Sequence, residues 1–145
     1  MRAVIQRVTS ASVSVGDEVV GEIGAGFLVL VGVTHDDDEA KATKLADRIA
    51  GLRIMDDENG VMNKSVVDVG AEVLVVSQFT LYGDASKGRR PTWSAAAKPE
   101  VAEPLIEVLI AELRARNLTV ATGRFRTDMA VALVNDGPST LMLEV

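Results

Sequence analysis

A change of hydrophobic period near residue 35 constrains this chain more than any other feature. From Ala3 to Ile23, AVIQRVTSASVSVGDEVVGEI, apolar and polar residues alternate with a period of two, interrupted at Gly16-Asp17. Alternation gives a strand one apolar face, and a Gly-Asp pair reverses the chain, so the spacing predicts a β-hairpin. GFLVLVGV follows as an unbroken apolar run, the pattern of a strand covered on both faces. In HDDDEAKATKLADRIAGLRIM the apolar residues instead fall at Ala42, Leu45, Ala46, Ile49 and Leu52, which is helical spacing. Asp36, Asp37 and Asp38 stand where they favour that helix's N-terminus by capping and through its dipole.

The same switch recurs further on. DDENG reads as a turn without the spacing of a calcium loop. AEVLVVSQ reads as a second central strand, followed by the polar loop TLYGDASKGRRPTWS. A second helix is predicted from near Pro104 to Arg116, with Pro104 in its first turn and Leu105, Val108, Leu109 and Leu113 as its buried stripe. Three strands are expected to finish the chain, at LTVAT, MAVALV and STLMLEV. The order ββ-(βα)2-βββ predicts one α/β domain over residues 1–145, with two helices on a mixed, largely antiparallel, barrel-like sheet.

Several functions are disfavoured by what is missing. With no cysteine there is no disulfide, thiolate nucleophile or cysteine-bound zinc, and His35 is the one imidazole, so no metal and no cofactor are expected. GEIGAGF lacks dinucleotide-loop spacing, and GDASKGRR is no Walker loop because its lysine precedes the second glycine. A net charge of −6 argues against a general nucleic-acid coat, though Lys87, Arg89 and Arg90 in KGRRP form a local basic cluster. A solvated loop is the simplest reading of that cluster alone. The N-terminus alternates, unlike a signal peptide, and FLVLVGV is too short to cross a bilayer, so a cytoplasmic protein is expected.

Chemistry is most legible at SQFTLYGD. A buried apolar strand ends there in Ser77, Gln78 and Thr80, neutral hydrogen-bonding groups at a strand end that opens into a long loop. They either build a site or simply cap the sheet. A hydroxyl nucleophile needs a base, and His35 reads as a helix-start residue, so a Ser-His-Asp arrangement is disfavoured. An enzyme of this kind suits an activated ester, oriented by the protein and attacked by water. NDGPST near the C-terminus looks like hairpin chemistry, but Pro138 directly after Gly137 removes a donor where a strand should begin to pair.

AVIQRVTSASVSV, IGAGFLVLVGV, LRIMDDENGVMNKSV, VLVVSQFTLYGD, KGRRP and NDGPST together resemble the D-aminoacyl-tRNA deacylases over essentially the whole chain. The resemblance implies a homodimer that proofreads by hydrolysing the ester between a D-amino acid and the tRNA 3′ adenosine. It implies a pocket lined by Ser77, Gln78, Phe79 and Thr80, with the Phe79 backbone near the ester. Gly137 and Pro138, joined by a cis bond, would reach in from the partner subunit and reject L-amino acids with backbone atoms. Sequence alone favours a trans bond there. Phe125 and Met129 match positions near the adenosine, Lys87, Arg89 and Arg90 would meet the 3′-terminal phosphates, and the tRNA 2′-hydroxyl would assist. Glycine would also be accepted, including glycine mischarged on tRNA-Ala.

Four features depart from that family's pattern. They are Ser139, Arg126-Thr127 where small residues are typical, Trp93 in place of phenylalanine, and Pro104-Leu105. Two competing readings are an esterase or amidase with Thr80 as nucleophile, and a non-catalytic dimer that holds RNA ends. The first requires that Thr80→Ala abolish turnover; the second requires tRNA binding without hydrolysis.

Overall fold

The computed structural model describes residues 1–145. Strand β1 (Arg2–Val15) organises it. Gly16, at φ 57°, turns the chain into β2 (Glu18–Ile23), and β3 (Gly26–Gly32) continues along the same edge of β1 in one register, Ala11 facing Ile23 and Val8 facing Gly26. The expected hairpin and the apolar strand after it thus form one ribbon. Helix α1 (Glu39–Gly51) follows, its N-terminus capped by Asp38, whose carboxylate accepts from Lys41 N at 2.9 Å. Asp37 turns inward instead, 2.8 Å from the Met1 ammonium. The DDENG turn joins the short strands β4 (Met55–Asp56) and β5 (Met62–Lys64), with Asp57 accepting from the Asn59 and Val61 amides.

Strand β6 (Glu72–Ser77) then lies parallel to β3, helix α2 (Pro99–Ala115) crosses back, and β7 (Thr119–Thr122) lies parallel to β6. Both helices cover one face of the sheet. Leu45 and Ile49 of α1 and Leu109 and Leu113 of α2 share a core with Ala3, Ile5, Phe27, Val29, Val73 and Val75. The other face curls around a smaller core of Val8, Ala11, Val13, Ile23, Leu28, Leu74 and Val76. At Gly21 a Cβ would stand 2.3 Å from the Thr122 carbonyl, so glycine there lets β2 approach the end of β7 and nearly close the barrel. The expected class, two helices on a mixed barrel-like sheet in one domain, is what the chain forms. No helix is long and apolar enough to cross a membrane.

Two expectations are corrected. Helix α2 starts at Pro99, not near Pro104; Pro99 takes the first-turn position, where a missing N–H is harmless, and Pro104 sits inside the helix. The two apolar runs near the C-terminus are one strand, β8 (Ala130–Glu144), antiparallel to β1 along the edge opposite β2 and β3. NDGPST is therefore no hairpin. Asn135 pairs with Val8 and Thr140 with Gln6, so Asp136 to Ser139 bulge out of the ladder opposite Arg7 alone. The chain leaves the bulge in the direction in which it entered. Within it, the Gly137-Pro138 peptide bond is cis.

Candidate active site

The carboxyl ends of parallel strands β3, β6 and β7 open onto a cavity of about 510 Å³. Where such strands end, main-chain groups pass to loops, so sites form there. Ser77 is the last β6 residue in register, opposite Val31. Gln78 N still reaches Val31 O at 2.7 Å, and the chain then winds into a 3-10 turn, Phe79–Tyr82, closed by Gly83 N donating to Thr80 O at 2.9 Å. Ser77, Gln78 and Phe79 line the cavity from this side. Pro99, Ala102 and Ile106 of α2 face them, and the turn after β7 adds Phe125 to Met129.

Of the sequence-predicted residues, Ser77, Gln78, Phe79, Phe125 and Met129 come together on the cavity wall, whereas Thr80, the cluster of Lys87, Arg89 and Arg90, and the pair Gly137 and Pro138 lie outside it. Thr80 is not part of the cavity wall; its hydroxyl accepts from Gln78 Nε2. Phe79 is 56% exposed and meets Trp93 edge-to-face, centroids 5.5 Å apart. Two half-open rings at the mouth of an apolar cavity can receive a planar base. Trp93 follows the loop that carries Lys87, Arg89 and Arg90, all exposed, whose ends are joined by reciprocal 2.9 Å bonds between Asp84 and Thr92.

His35 serves the scaffold. Its Nε2 lies 2.6 Å from the Ser94 carbonyl, which can only accept, so that nitrogen carries hydrogen. Thr34 Oγ1 donates to Ala95 O at 2.6 Å and Ala97 N to Val33 O at 2.9 Å, so three bonds fasten the segment after Trp93 to the end of β3. Neither Ser77 nor Thr80 is hydrogen-bonded to an imidazole or a carboxylate. The cavity can hold, orient and desolvate a substrate, but it has no assembled nucleophile and base.

Gly137 and Pro138 are exposed and do not line this chain's own cavity. Their anchor is Arg7, a residue that reading the sequence for polar clusters does not single out. Arg7 is 5% exposed. Its Nε donates to Asp136 O and its Nη2 to Gly137 O, both at 3.2 Å, while Nη1 donates to Ile54 O at 2.8 Å. The Asp56 and Asp136 carboxylates lie 3.2 Å from it, each about half exposed. One signal was available: along β1 the inward positions run Ala3, Ile5, Arg7, and a charge in that series has to answer to something buried. Ser139 is buried beneath the bulge, its hydroxyl 3.3 Å from Met62 Sδ.

A barrel-like α/β sheet with a cavity at the carboxyl ends of its parallel strands and no assembled nucleophile and base suits hydrolysis of an already activated ester. The model of the family described as D-Tyr-tRNA(Tyr) deacylase matches residues 4–144, and the chain belongs to that family. The D-aminoacyl-tRNA deacylase of Symbiobacterium thermophilum is 56% identical over 144 residues, covering 99% of this chain and 95% of the relative. A solved structure described as c-Myc DNA Unwinding Element Binding Protein superimposes with a TM-score of 0.93 at 40% identity, covering 100% of this chain and 99% of that one. Another, described as a probable eukaryotic D-amino acid tRNA deacylase, has a TM-score of 0.86 at 17% identity, covering 99% and 98%; its likeness is one of fold.

Proposed function

We propose that the protein hydrolyses the ester joining a D-amino acid to the 3′ adenosine of tRNA. In this reading a second copy of the chain completes the site, and its main-chain carbonyls at Gly137-Pro138 exclude L-aminoacyl groups. The observation that carries the reading is the bulge on β8. A Cβ at Gly137 would meet only Asn135 Nδ2, at 3.8 Å, so the chain's own packing does not require glycine there. Yet the Gly137 carbonyl is held by a buried guanidinium, and Gly137 does not line its own chain's cavity. An exposed Gly-Pro segment with an anchored main chain suits a wall offered to another molecule. The rest of β8 supports a second copy: Leu133, Val134 and Met142 are exposed on it, and its outer edge has no partner strand.

The chemistry follows from positioning. Phe125 and Met129 hold the adenine, and Ser77, Gln78 and the Phe79 main chain orient the ester, with Thr80 steadying Gln78. Water adds to the ester carbonyl carbon, the bond from that carbon to the ribose 3′ oxygen breaks, and the proton passes to the departing oxygen with the adjacent 2′-hydroxyl assisting. The enzyme's share is orientation and exclusion of bulk water. Exchanging hydrogen and side chain at the amino-acid Cα drives the side chain of an L-residue into the carbonyl wall. Main-chain atoms have no rotamer by which to yield, whereas glycine has no side chain to be refused. Lys87, Arg89 and Arg90 meet the phosphates of the acceptor end, a local contact compatible with a net charge of −6. The test is to incubate the protein with matched D- and L-aminoacyl-tRNA and follow ester loss against the spontaneous rate. Acceleration confined to the D form and to glycyl-tRNA is expected; equal rates for the two enantiomers refute the reading.

A further inference from the structure

We infer that Arg126 is a second cationic contact for the RNA acceptor end, on the rim opposite Phe79 and Trp93, and that Glu100 holds it in reserve while no RNA is bound. The inference rests on the proposed function and adds to its binding surface a residue outside the basic loop. Three observations carry it. Arg126 lines the cavity and is exposed, so its guanidinium is within reach of a nucleotide chain that enters there. Its backbone is in the left-handed region, at φ 61°, in a turn closed by Thr127 Oγ1 donating to Arg124 O at 2.7 Å. That conformation suits glycine and disfavours a long side chain by about 1 kcal/mol or more, so neither the turn nor the core explains an arginine. Finally, Nη2 of Arg126 reaches across to Glu100 in the first turn of α2, 3.7 Å away, with side chains 63% and 70% exposed.

An ion pair so long and so open contributes little. It is therefore readily exchanged. A phosphate presents oxygens to which a guanidinium can bond through two N–H groups at once, a stronger arrangement than a single stretched contact. Arg126 leaves Glu100 for a phosphate of the single-stranded 3′ end when the terminal nucleoside occupies the cavity. Glu100, three residues beyond Ala97 and next to the wall residue Pro99, keeps the free arginine from folding over the opening.

The test measures binding of an uncharged acceptor-stem minihelix ending in CCA, over a series of salt concentrations, by the full-length wild type, Arg126→Gly, Arg126→Lys and Glu100→Gln. Arg126→Gly is expected to weaken binding about tenfold at low salt and to flatten the slope of log affinity against log salt by about 0.7, the share of one single-strand phosphate. Arg126→Lys retains part of the affinity and the full slope, because it keeps the charge and loses the fork. Glu100→Gln binds about twofold or more tightly. Because glycine suits φ 61°, Arg126→Gly should melt no lower than wild type, which separates lost contact from lost fold. Wild-type affinity and slope in Arg126→Gly overturn the inference, as does equal weakening with an unchanged slope, which would mark a shape effect. Hydrolysis of D- and L-aminoacyl-tRNA by the wild type judges the proposed function separately.

Discussion

Replacing Arg7 tests how the bulge on β8 is held. Three main-chain carbonyls, of Ile54, Asp136 and Gly137, accept from one guanidinium whose side chain is 6% exposed. The two carboxylates beside it are 51% and 48% exposed, so each pair contributes roughly 0–1 kcal/mol. Hydrogen bonds from a charged donor contribute about 1.5–3 kcal/mol each, but the Asp136 and Gly137 carbonyls lie near the surface and recover water when the donor is removed. Arg7→Met, which keeps the apolar stem, should therefore cost about 3 kcal/mol, a fall in Tm of about 10 °C for a chain of this length. Arg7→Lys should lose about half of that, because one ammonium cannot span Ile54 O and Gly137 O together. The functional effect is larger in relative terms. A Gly137 carbonyl freed of a bond of about 1.5–3 kcal/mol can yield to an L-side chain, so the D-to-L rate ratio should drop about tenfold to a hundredfold in Arg7→Lys. Thermal melting and ester hydrolysis on the same preparations provide both numbers. If Arg7→Met melts within 2 °C of wild type, or folded Arg7→Lys keeps the wild-type ratio, Arg7 does not anchor the wall.

Gly137→Ala should fold normally and melt within about 2 °C of wild type, since the added Cβ has its nearest neighbour at 3.8 Å, yet it should lose most hydrolysis of D-aminoacyl-tRNA; retention of full activity would show that no second molecule faces this atom. Tyr82 predicts an alkaline limit to stability. Its hydroxyl is pushed up to about 12 by burial first and Asp37 second, against the opposing Arg2 guanidinium 4.5 Å above the ring. The unfolded chain releases this proton near pH 10, so the contribution is complete below pH 10 and declines by about 1.4 kcal/mol per unit until the folded group also ionises. Tyr82→Phe should abolish that decline in denaturant titrations between pH 10 and 12, and an unchanged decline would assign it elsewhere.

Much of the architecture was legible because strand and helix segments use different periods. The alternation of β1 and β2, the doubly covered β3 and β6 and the stripe of α1 each follow from side-chain spacing alone. Spacing could not separate Pro99 from Pro104 as the start of α2, since both precede apolar residues at helical intervals; tertiary packing of Ala102 against the sheet side of the cavity extends the helix backward. Nor could local chemistry show that NDGPST is a bulge. Asn-Asp-Gly reads as a reversal in any window of six residues, and only the continuous pairing of both flanks with β1 shows otherwise. Of the cavity, Ser77 and Gln78 were readable as polar residues at a strand end; Thr80, read with them, stands outside the wall, and Phe79 came only from the family resemblance. The α2 wall was not readable, because Pro99, Ala102 and Ile106 differ from core residues only in what they face.

The ladder between β1 and β8 is regular from Arg2 to Gln6 and again from Ser10 to Ser14, and only Arg7 lies opposite the four residues Asp136 to Ser139. If three of those four were removed, the one remaining would fall opposite Arg7, and the slip at Thr9 would be the ladder's one irregularity. The barrel, then, is complete without this exposed tip. The ladder does not need the tip, so the tip could be lengthened, trimmed or exchanged while the scaffold beneath stays the same.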